Sequence, residues 1–433
     1  MIGHSIPEYI FIRISIFCLR LIAPLSIVYI ALSLHAGELL YSRWIGIYAI
    51  AEAFFYLFVY LPRSWLLQKP ATHPPLLSRK DREELFCKCF ARIRETGLAT
   101  GWFFSPPADG IKRENMVEWL LWALFGVHLD GLREEWVEEL EGYIQMIEKL
   151  LGREMENGWD KEISCMKVSL DPVVMLHRPL IWYSIVAFID TVTGLQLMWH
   201  GFKHFTASGW NFCFPPRLFT FFSRSSHHPD LVYWYRPHRS TTKHPILFLH
   251  GIGIGLWPYV PFLAELAAED PDVGIIAMEN LSMSMRMCSP PPTREALLDA
   301  ITYVLDTHDF DHVVVAAHSY GTVTAAHMLR DPALSERVSA WLLVDPIPFL
   351  LHLPAVAYNF VYRPPRTANE WQLWYFASRD PDIARALARH FFWAQNILWK
   401  EDLVGRRVAV ILSERDQIVD TLERGGHGGT VLP

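Results

Sequence analysis

The chain has 433 residues, which is longer than one ordinary domain and suggests one large domain with extensions. Hydrophobic residues make up 51% of the chain and charged residues 20%, a composition that argues against disorder and favours a globular or membrane-associated protein. The formal net charge of −7 lacks the basic footprint of a nucleic-acid-binding protein, so we expect no nucleic acid partner.

Two apolar runs stand near the N-terminus, at residues 14–34 and 44–61. A bilayer core about 30 Å thick needs about 20 helical residues, so both runs qualify as spans. Each contains one charged side chain, Arg20 or Glu52, which should lie near a helix end or face the partner helix. We therefore predict that residues 1–69 form a membrane anchor of two transmembrane helices arranged as a hairpin.

Basic residues follow this hairpin, whereas the link between the two runs offers only Arg43. The positive-inside bias therefore places the bulk of the chain in the cytoplasm. The basic residues are Arg63, Lys69, Arg79, Lys80 and Arg82. Two other interpretations stay open: a signal peptide cleaved near residues 31–33, and helices buried within the protein. Because the first run is long and a second run follows it, we favour the anchor.

Residues 70–230 are predicted to be a helical, partly interfacial region. The stretch 134–152 has apolar residues at helical spacing with acidic residues between them. Residues 181–199 are apolar but contain Asp190, and we expect an interfacial or buried helix there instead of a third span. Aromatic residues crowd the stretch 199–235, which fits either core packing or an aromatic collar at the lipid headgroups.

From residue 231 onwards, short apolar runs alternate with helical patterns. Strands are predicted near 231–235, 246–249, 273–278, 312–317, 340–344 and 408–412, and helices near 258–269, 293–307 and 320–330. This alternation predicts an α/β domain over residues 231–433, with a mostly parallel sheet covered by helices on both faces.

Three motifs fall at the ends of predicted strands. The first is "LFLHGIGIG", in which glycines follow a strand that ends at His250. Glycines here let backbone N–H groups approach a ligand closely, so Gly251 and Ile252 would supply half of an oxyanion hole. A phosphate-binding loop is the weaker alternative, because no Lys-Ser or Lys-Thr pair follows the glycines.

The second motif, "AAHSYGT", places Ser319 between a strand and a helix. It matches the nucleophile-elbow pattern G-x-S-x-G, with Ala317 at the first glycine position. The backbone N–H of Tyr320 would be the second oxyanion donor. The alternative is an ordinary serine at the start of a helix.

The third motif, "VAVILSERDQIVD", places Asp416 in the loop after a strand. An acid there could hold a histidine in the tautomer needed for catalysis and stabilise its charged form. Asp345, in "WLLVDPIP", is the alternative acid, although it could instead be a turn residue before Pro346. We favour Asp416.

The segments "HGIG", "HSYG" and "SERD" resemble the α/β-hydrolase superfamily, and within it the fungal-type membrane-anchored members, over about residues 231–420. The resemblance implies an α/β-hydrolase fold with a serine hydrolase site in the chain order Ser, acid, His. It also implies a helical lid at about residues 347–400, whose aromatic side chains would line an apolar substrate pocket. It implies no metal and no organic cofactor.

The same pattern asks for a further helix, a strand and a histidine after the acid. Only 17 residues follow Asp416, and they contain one histidine, His427. We expect His427 to be the general base if this last unit is abridged. Otherwise the chain is shortened at its C-terminus and Ser319 lacks its base. His318 should point to the opposite side of the nucleophile, and His250 is expected to be structural.

The sequence thus predicts a membrane-anchored serine hydrolase that cleaves an ester or other acyl bond of a lipophilic small molecule or lipid. Ser319 would attack the carbonyl, and Asp416 would orient His427, which moves the proton. Two alternatives stay open: a catalytically impaired or truncated hydrolase-fold protein that acts as a binding module, and an acyltransferase on the same fold. The sequence defines no oligomeric state.

Overall fold

The protein is described by a computed structural model that covers residues 3, 5–90, 98–107, 110–207, 209, 213–226, 228, 231–414 and 416–419. One eight-stranded sheet organises the C-terminal half. Its strands are β1 (Lys203–Thr206), β2 (Arg224–Ser225), β3 (Val232–Arg236), β4 (Ile246–Leu249), β5 (Ile275–Glu279), β6 (Val313–His318), β7 (Val338–Val344) and β8 (Val408–Ile411). The spatial order is β2-β1-β3-β5-β4-β6-β7-β8.

The sheet is mostly parallel, as the alternating pattern predicts. Strands β5, β4, β6, β7 and β8 run parallel to one another, whereas β3 is antiparallel to both β5 and β1. All six predicted strands are present with small shifts at their ends. The additional strands β1 and β2 lie before residue 231, inside the segment expected to be helical, and they are too short to give a periodic signal.

The longer helices are α1 (Ile6–Ala36), α2 (Arg43–Leu67, with a π-helical turn at Phe55–Tyr60), α3 (Arg79–Phe90), α4 (Arg113–Leu120), α5 (Glu134–Leu151), α6 (Leu180–Trp199), α7 (Val260–Glu269), α8 (Arg294–Thr307), α9 (Gly321–Arg330) and α10 (Pro381–Arg389). Shorter helical segments include Leu121–Phe125, Leu218–Phe222, Trp257–Tyr259, Pro332–Glu336, Ile347–Leu350, Pro354–Ala357, Tyr358–Tyr362, Ala368–Leu373, Trp374–Ser378 and Trp393–Asn396.

Helices cover both faces of the sheet. Alternate side chains of a strand point to opposite faces, so the neighbours Ala316 and Ala317 of β6 enter different cores. Ala317 packs in a core with residues of α8 and α9, and Ala316 packs in a core with residues of α7 and α6. This two-sided burial is the reason the parallel strands read as continuous apolar runs.

The helical region before the sheet has its own apolar core, built from α3, α4 and α5. Leu351, Ile397 and Trp399 belong to this same core, although they come from the segment after β7. The segment 347–400 therefore packs against the helical region as well as against the sheet. It forms short helices where the resemblance implied a lid.

Within the described ranges, three helices are long and apolar enough to cross a membrane, judged by length and composition: α1, α2 and α6. The first two contain the predicted spans, and the third is the helix expected to be interfacial or buried. Glu52, the charged residue of the second predicted span, lies inside the protein. Its carboxylate accepts hydrogen bonds from the Leu180 N–H at 2.8 Å and the Tyr48 hydroxyl at 3.1 Å. Glu52 thus faces α6.

A buried ion network fastens α6 to the sheet. Asp190 of α6 accepts two hydrogen bonds from Arg217, both 3.1 Å long, and lies 2.7 Å from the guanidinium of Arg286. Arg217 also contacts Glu279, at the end of β5, at 2.7 Å. All four side chains are buried, so removing any one of them would leave uncompensated charge inside the protein.

The start of α9 packs directly onto the end of β4. A Cβ atom at Gly321 would lie 2.2 Å from the Leu249 carbonyl oxygen, closer than any real contact. We expect Gly321→Ala to lower the free energy of unfolding by about 1–3 kcal/mol or to prevent folding, because backbone on both sides must move. Thermal unfolding of the purified variant and the parent measures this loss of stability.

The matched control for Gly321→Ala is Gly253→Ala. A Cβ atom at Gly253 would meet nothing within 4 Å, so this variant should melt within a degree or two of the parent. Equal stability of the two variants would contradict the close packing of α9 on β4.

Candidate active site

Ser319 occupies a sharp corner between β6 and α9. Its backbone has φ of +50°, an unfavourable value for a residue with a side chain. The corner is held by the Ser319 N–H, which donates to the Val344 carbonyl at 2.9 Å, and by the N–H and hydroxyl of Thr322, which donate to the Ser319 carbonyl. This is the strand–turn–helix geometry that the "AAHSYGT" motif predicts.

Ser319 opens into an apolar cavity of about 190 Å³ that three parts of the chain build together. The loops at the sheet edge contribute Ile252, Ser319 and Tyr320. The segment after β7 contributes apolar side chains that include Phe360, Phe391 and Trp393, and the helical region contributes residues 73–77 and 122–126. The cavity therefore depends on contacts between regions that are far apart in sequence.

The three backbone amides proposed for the oxyanion hole have different partners. The Gly251 N–H donates to the Tyr259 hydroxyl at 3.1 Å. Within the described ranges, the N–H groups of Ile252 and Tyr320 donate to no protein acceptor. Both residues line the cavity beside Ser319, so these two amides are the ones available to a ligand oxygen.

His318 packs against the turn after β4, and the expectation that it points away from the nucleophile stays a prediction. A Cβ atom at Gly251 would lie 2.9 Å from Ser319 Cβ and 3.1 Å from His318 Nδ1. His318 Nδ1 is 2.8 Å from the Tyr259 hydroxyl, and His318 Nε2 is 3.7 Å from the Asp345 carboxylate. Burial lowers the pKa of His318, and the negative charges of Asp345 and Asp416 oppose that shift.

The two candidate acids differ in their hydrogen bonds. Asp345 is buried, and its two oxygens accept the Ser413 N–H at 2.6 Å and the Ser413 hydroxyl at 2.7 Å. Asp416 uses one oxygen, Oδ1, to accept the N–H groups of Ile418 and Val419 at 2.6 and 2.7 Å. Among the described residues, none donates a hydrogen bond to Asp416 Oδ2.

The remaining histidines near the site have defined partners or lie outside the described residues. His250 donates from Nδ1 to the Gly251 carbonyl at 2.7 Å and accepts the Asn280 N–H at Nε2, so both ring nitrogens are used structurally. His327 is buried, with Nε2 2.7 Å from Asn396 Oδ1. The predicted base, His427, lies outside the described residues.

Several cavity residues were missed by the sequence reasoning. Residues 73–77, "HPPLL", form one wall of the cavity, although the sequence predicted only a helical, partly interfacial region there. Tyr259 was not singled out either, because a tyrosine at the start of a helix carries no chemical signature on its own. In the ranges that the structure describes, no group of three or more His, Cys, Asp or Glu side chains is arranged to hold a metal ion.

Part of the chain matches a known family of proteins. Residues 246–431, less than half of the chain, match the family model of the alpha/beta hydrolase family. No curated protein matches the sequence. The matched segment contains the glycine turn after β4, the Ser319 corner and both candidate acids.

Solved structures with a detectable likeness include three hydrolases. A carboxylesterase from the Thaumarchaeon Nitrososphaera gargenis aligns at 16% identity over 45% of this chain and 81% of its own, with a TM-score of 0.31. A bacterial membrane phospholipase A aligns at 14% identity over 56% of this chain and 79% of its own, with a TM-score of 0.34. A carboxylesterase from Bacillus subtilis aligns at 12% identity over 55% of this chain and 84% of its own, with a TM-score of 0.32. Likenesses at these scores carry no argument about substrate.

The sheet and the family match together define the class. The C-terminal part of the chain has an α/β-hydrolase fold, with a mostly parallel eight-stranded sheet and helices on both faces. The match supports assignment of this part to the α/β-hydrolase superfamily. The finer expectations, a membrane anchor and a serine hydrolase site, depend on the residues themselves.

Buried histidines should make the fold sensitive to acid. Burial lowers the pKa of His308, His327 and His390 to about 4, below the usual value of about 6.5. The unfolded chain binds these protons at higher pH than the folded chain, so the free energy of unfolding should fall as the pH drops from about 6.5 to 4. Melting temperatures at pH 7.5 and 5.5 measure the loss.

His327→Gln should reduce this loss, because it removes one of the groups that must be protonated on unfolding. His200→Gln, at an exposed position of the same chain, is the control and should leave the pH dependence unchanged. A melting temperature that does not change between the two pH values would contradict the burial argument.

Proposed function

We propose that the protein is a membrane-anchored serine hydrolase that cleaves an ester or other acyl bond of a lipophilic substrate. The observation that carries the proposal is the Ser319 corner: a strained serine that opens into an apolar cavity beside two backbone amides for which the described part of the chain offers no acceptor. An ordinary helix-starting serine needs neither the positive φ nor the cavity. The family match is consistent with hydrolytic chemistry.

In the proposed reaction, the Ser319 hydroxyl oxygen attacks the substrate carbonyl carbon and loses its proton to the base. The carbonyl oxygen becomes an oxyanion, and the N–H groups of Ile252 and Tyr320 stabilise it. On collapse, the protonated base gives its proton to the leaving oxygen, the alcohol departs, and an acyl group remains on Ser319. Water then attacks this acyl-enzyme and loses a proton to the base, which returns it to the Ser319 oxygen as the carboxylic acid is released.

The arrangement of the two acids supports Asp416 as the residue that orients the base. Among the described residues none donates to Asp416 Oδ2, which suits it to accept from a histidine ring, whereas both Asp345 oxygens accept hydrogen bonds from Ser413. Asp345 then acts as a positioning residue, because it fixes Ser413 at the start of the loop that carries Asp416. His427 is the proposed base, since it is the histidine that follows Asp416 in the chain.

The cavity supports a lipophilic substrate. Its walls are mainly aliphatic and aromatic, and one wall is the Pro-rich segment that leaves α2. A second cavity, of about 690 Å³, shares Tyr320 and Phe392 with the first and carries polar groups that include Arg294 and His390. An amphiphilic substrate would place its acyl chain in the first cavity and its polar part in the second.

The membrane anchor is proposed from α1 and α2, whose length and hydropathy suit a bilayer. They carry exposed apolar side chains such as Leu25, Val28 and Leu32 of α1. The basic residues after α2 favour a cytoplasmic location for the hydrolase domain.

One observation favours a second candidate function. In the part of the chain that the structure describes, no histidine ring forms a hydrogen bond with Ser319. If His427 does not reach Ser319 either, the same cavity would bind a lipophilic molecule without cleaving it. The protein would then be a membrane-bound binding module.

Replacing the nucleophile separates these two functions. Ser319→Ala should lower kcat for p-nitrophenyl ester hydrolysis by about 10³-fold or more, because no other group can form the acyl-enzyme. Ser335→Ala, which alters a buried serine outside both cavities, is the control and should retain activity. An inactive parent protein, or a Ser319→Ala variant as active as the parent, would count against the hydrolase.

The two acids can be separated by kcat and stability. Asp416→Asn should lower kcat by about 10²-fold or more with little change in melting temperature, because it weakens the hydrogen bond to the base. Asp345→Asn should lower the free energy of unfolding by about 1–3 kcal/mol, because the buried contacts to Ser413 are disrupted. The opposite pattern would identify Asp345 as the catalytic acid.

A further inference from the structure

Helix α6 presents one face of large apolar side chains to the outside of the protein. Phe188 is 70% exposed and Trp199 is 88% exposed. A neighbouring 3-10 segment extends the same surface, with Phe222 at 75% exposure. We call this surface the α6 face, which consists of Ile181, Ile185, Phe188, Leu195, Trp199, Leu218, Phe221 and Phe222.

The spacing and packing show that the α6 face is a single surface. The five α6 residues are three, four or seven positions apart, which places them on one side of a helix. The segment Leu218–Phe222 lies close against α6, because Gly194 leaves room for the Phe219 ring: a Cβ atom there would be 3.0 Å from that ring. Phe219 is buried, whereas Phe221 and Phe222 point outward.

The opposite side of α6 carries Asp190 and packs against the rest of the protein. Asp190 is the one ionisable carboxylate of the helix, and it is held by Arg217 and Arg286 in the buried network. The outward side therefore has no charged side chain, and monomeric soluble proteins rarely expose a contiguous apolar patch of this kind.

The α6 face also continues the apolar surface of the proposed anchor. The start of α6 binds α2 directly, through the Leu180 N–H on Glu52 and through the edge-to-face contact of Phe55 and Tyr183 rings, 5.7 Å apart. By length and composition, α6 is itself apolar enough for a bilayer. The helix that carries the α6 face therefore starts in direct contact with the proposed anchor.

We propose that the α6 face contacts the lipid bilayer, so that the sheet domain is seated on the membrane by a second contact besides the α1–α2 hairpin. The Asp190 network transmits this contact to β5 and thus fixes the sheet relative to the lipid. Trp199 is a side chain of the kind favoured at the headgroup boundary, and Phe221 and Phe222 are of the kind that interfacial segments bury at the edge of the acyl chains. The inference rests on the proposed anchor and is independent of the proposed hydrolysis.

Nitroxide labelling of the full-length protein in phosphatidylcholine vesicles tests this placement. Single cysteines are introduced by Phe188→Cys and Phe222→Cys after the exposed Cys18 and Cys87 are replaced by serine. Collision rates with oxygen, which concentrates in lipid, and with a water-soluble nickel chelate are then compared. The background protein without an introduced cysteine is labelled in parallel.

Two matched positions provide the references. Val137→Cys, at an exposed site of α5, reports the aqueous value, and Val28→Cys, at an exposed site of α1, reports the anchor. We expect labels at 188 and 222 to give oxygen-to-nickel ratios several-fold above that at 137. Aqueous ratios at 188 and 222, with a lipid ratio at 28, would overturn the α6 contact alone. An aqueous ratio at 28 as well would overturn the anchor too.

Discussion

The near-contact of two backbone segments at the end of the sheet is the constraint on which the rest of the site depends. Gly321 allows the start of α9 to touch the Leu249 carbonyl, and Gly251 allows the turn after β4 to pass Ser319. A side chain at either glycine would push these segments apart. The positive φ of Ser319 follows, because the chain must reverse from strand to helix within this space.

A second group of contacts joins the segments that form the other walls of the cavity. The Arg389 guanidinium donates to the carbonyls of Lys69, Ser169 and Asp171, and the Trp393 indole N–H donates to the Ala123 carbonyl. These bonds join the segment after β7 to the helical region and the end of α2. The cavity is therefore a product of the whole chain, which is why a hydrolase fold alone does not determine what it binds.

The sheet and the nucleophile turn could be predicted from sequence because both follow local rules. Apolar runs of strand length located six strands, and the spacing of small residues around Ser319 located the corner. The wall formed by residues 73–77 and the contact between His318 and the Tyr259 hydroxyl could not be predicted, because they depend on packing between distant segments. Strands β1 and β2 were missed because they are short and form by pairing with other parts of the chain: β1 pairs with β3, and β2 pairs with β1.

Covalent trapping shows directly whether Ser319 is an activated nucleophile. Membranes that contain the full-length protein are treated with a fluorophosphonate, which forms a covalent bond with an activated serine, and the modified peptide is identified by mass spectrometry. We expect one adduct, on Ser319, that is lost when the protein is heat-denatured before treatment. No adduct, or an adduct on another serine, would contradict it.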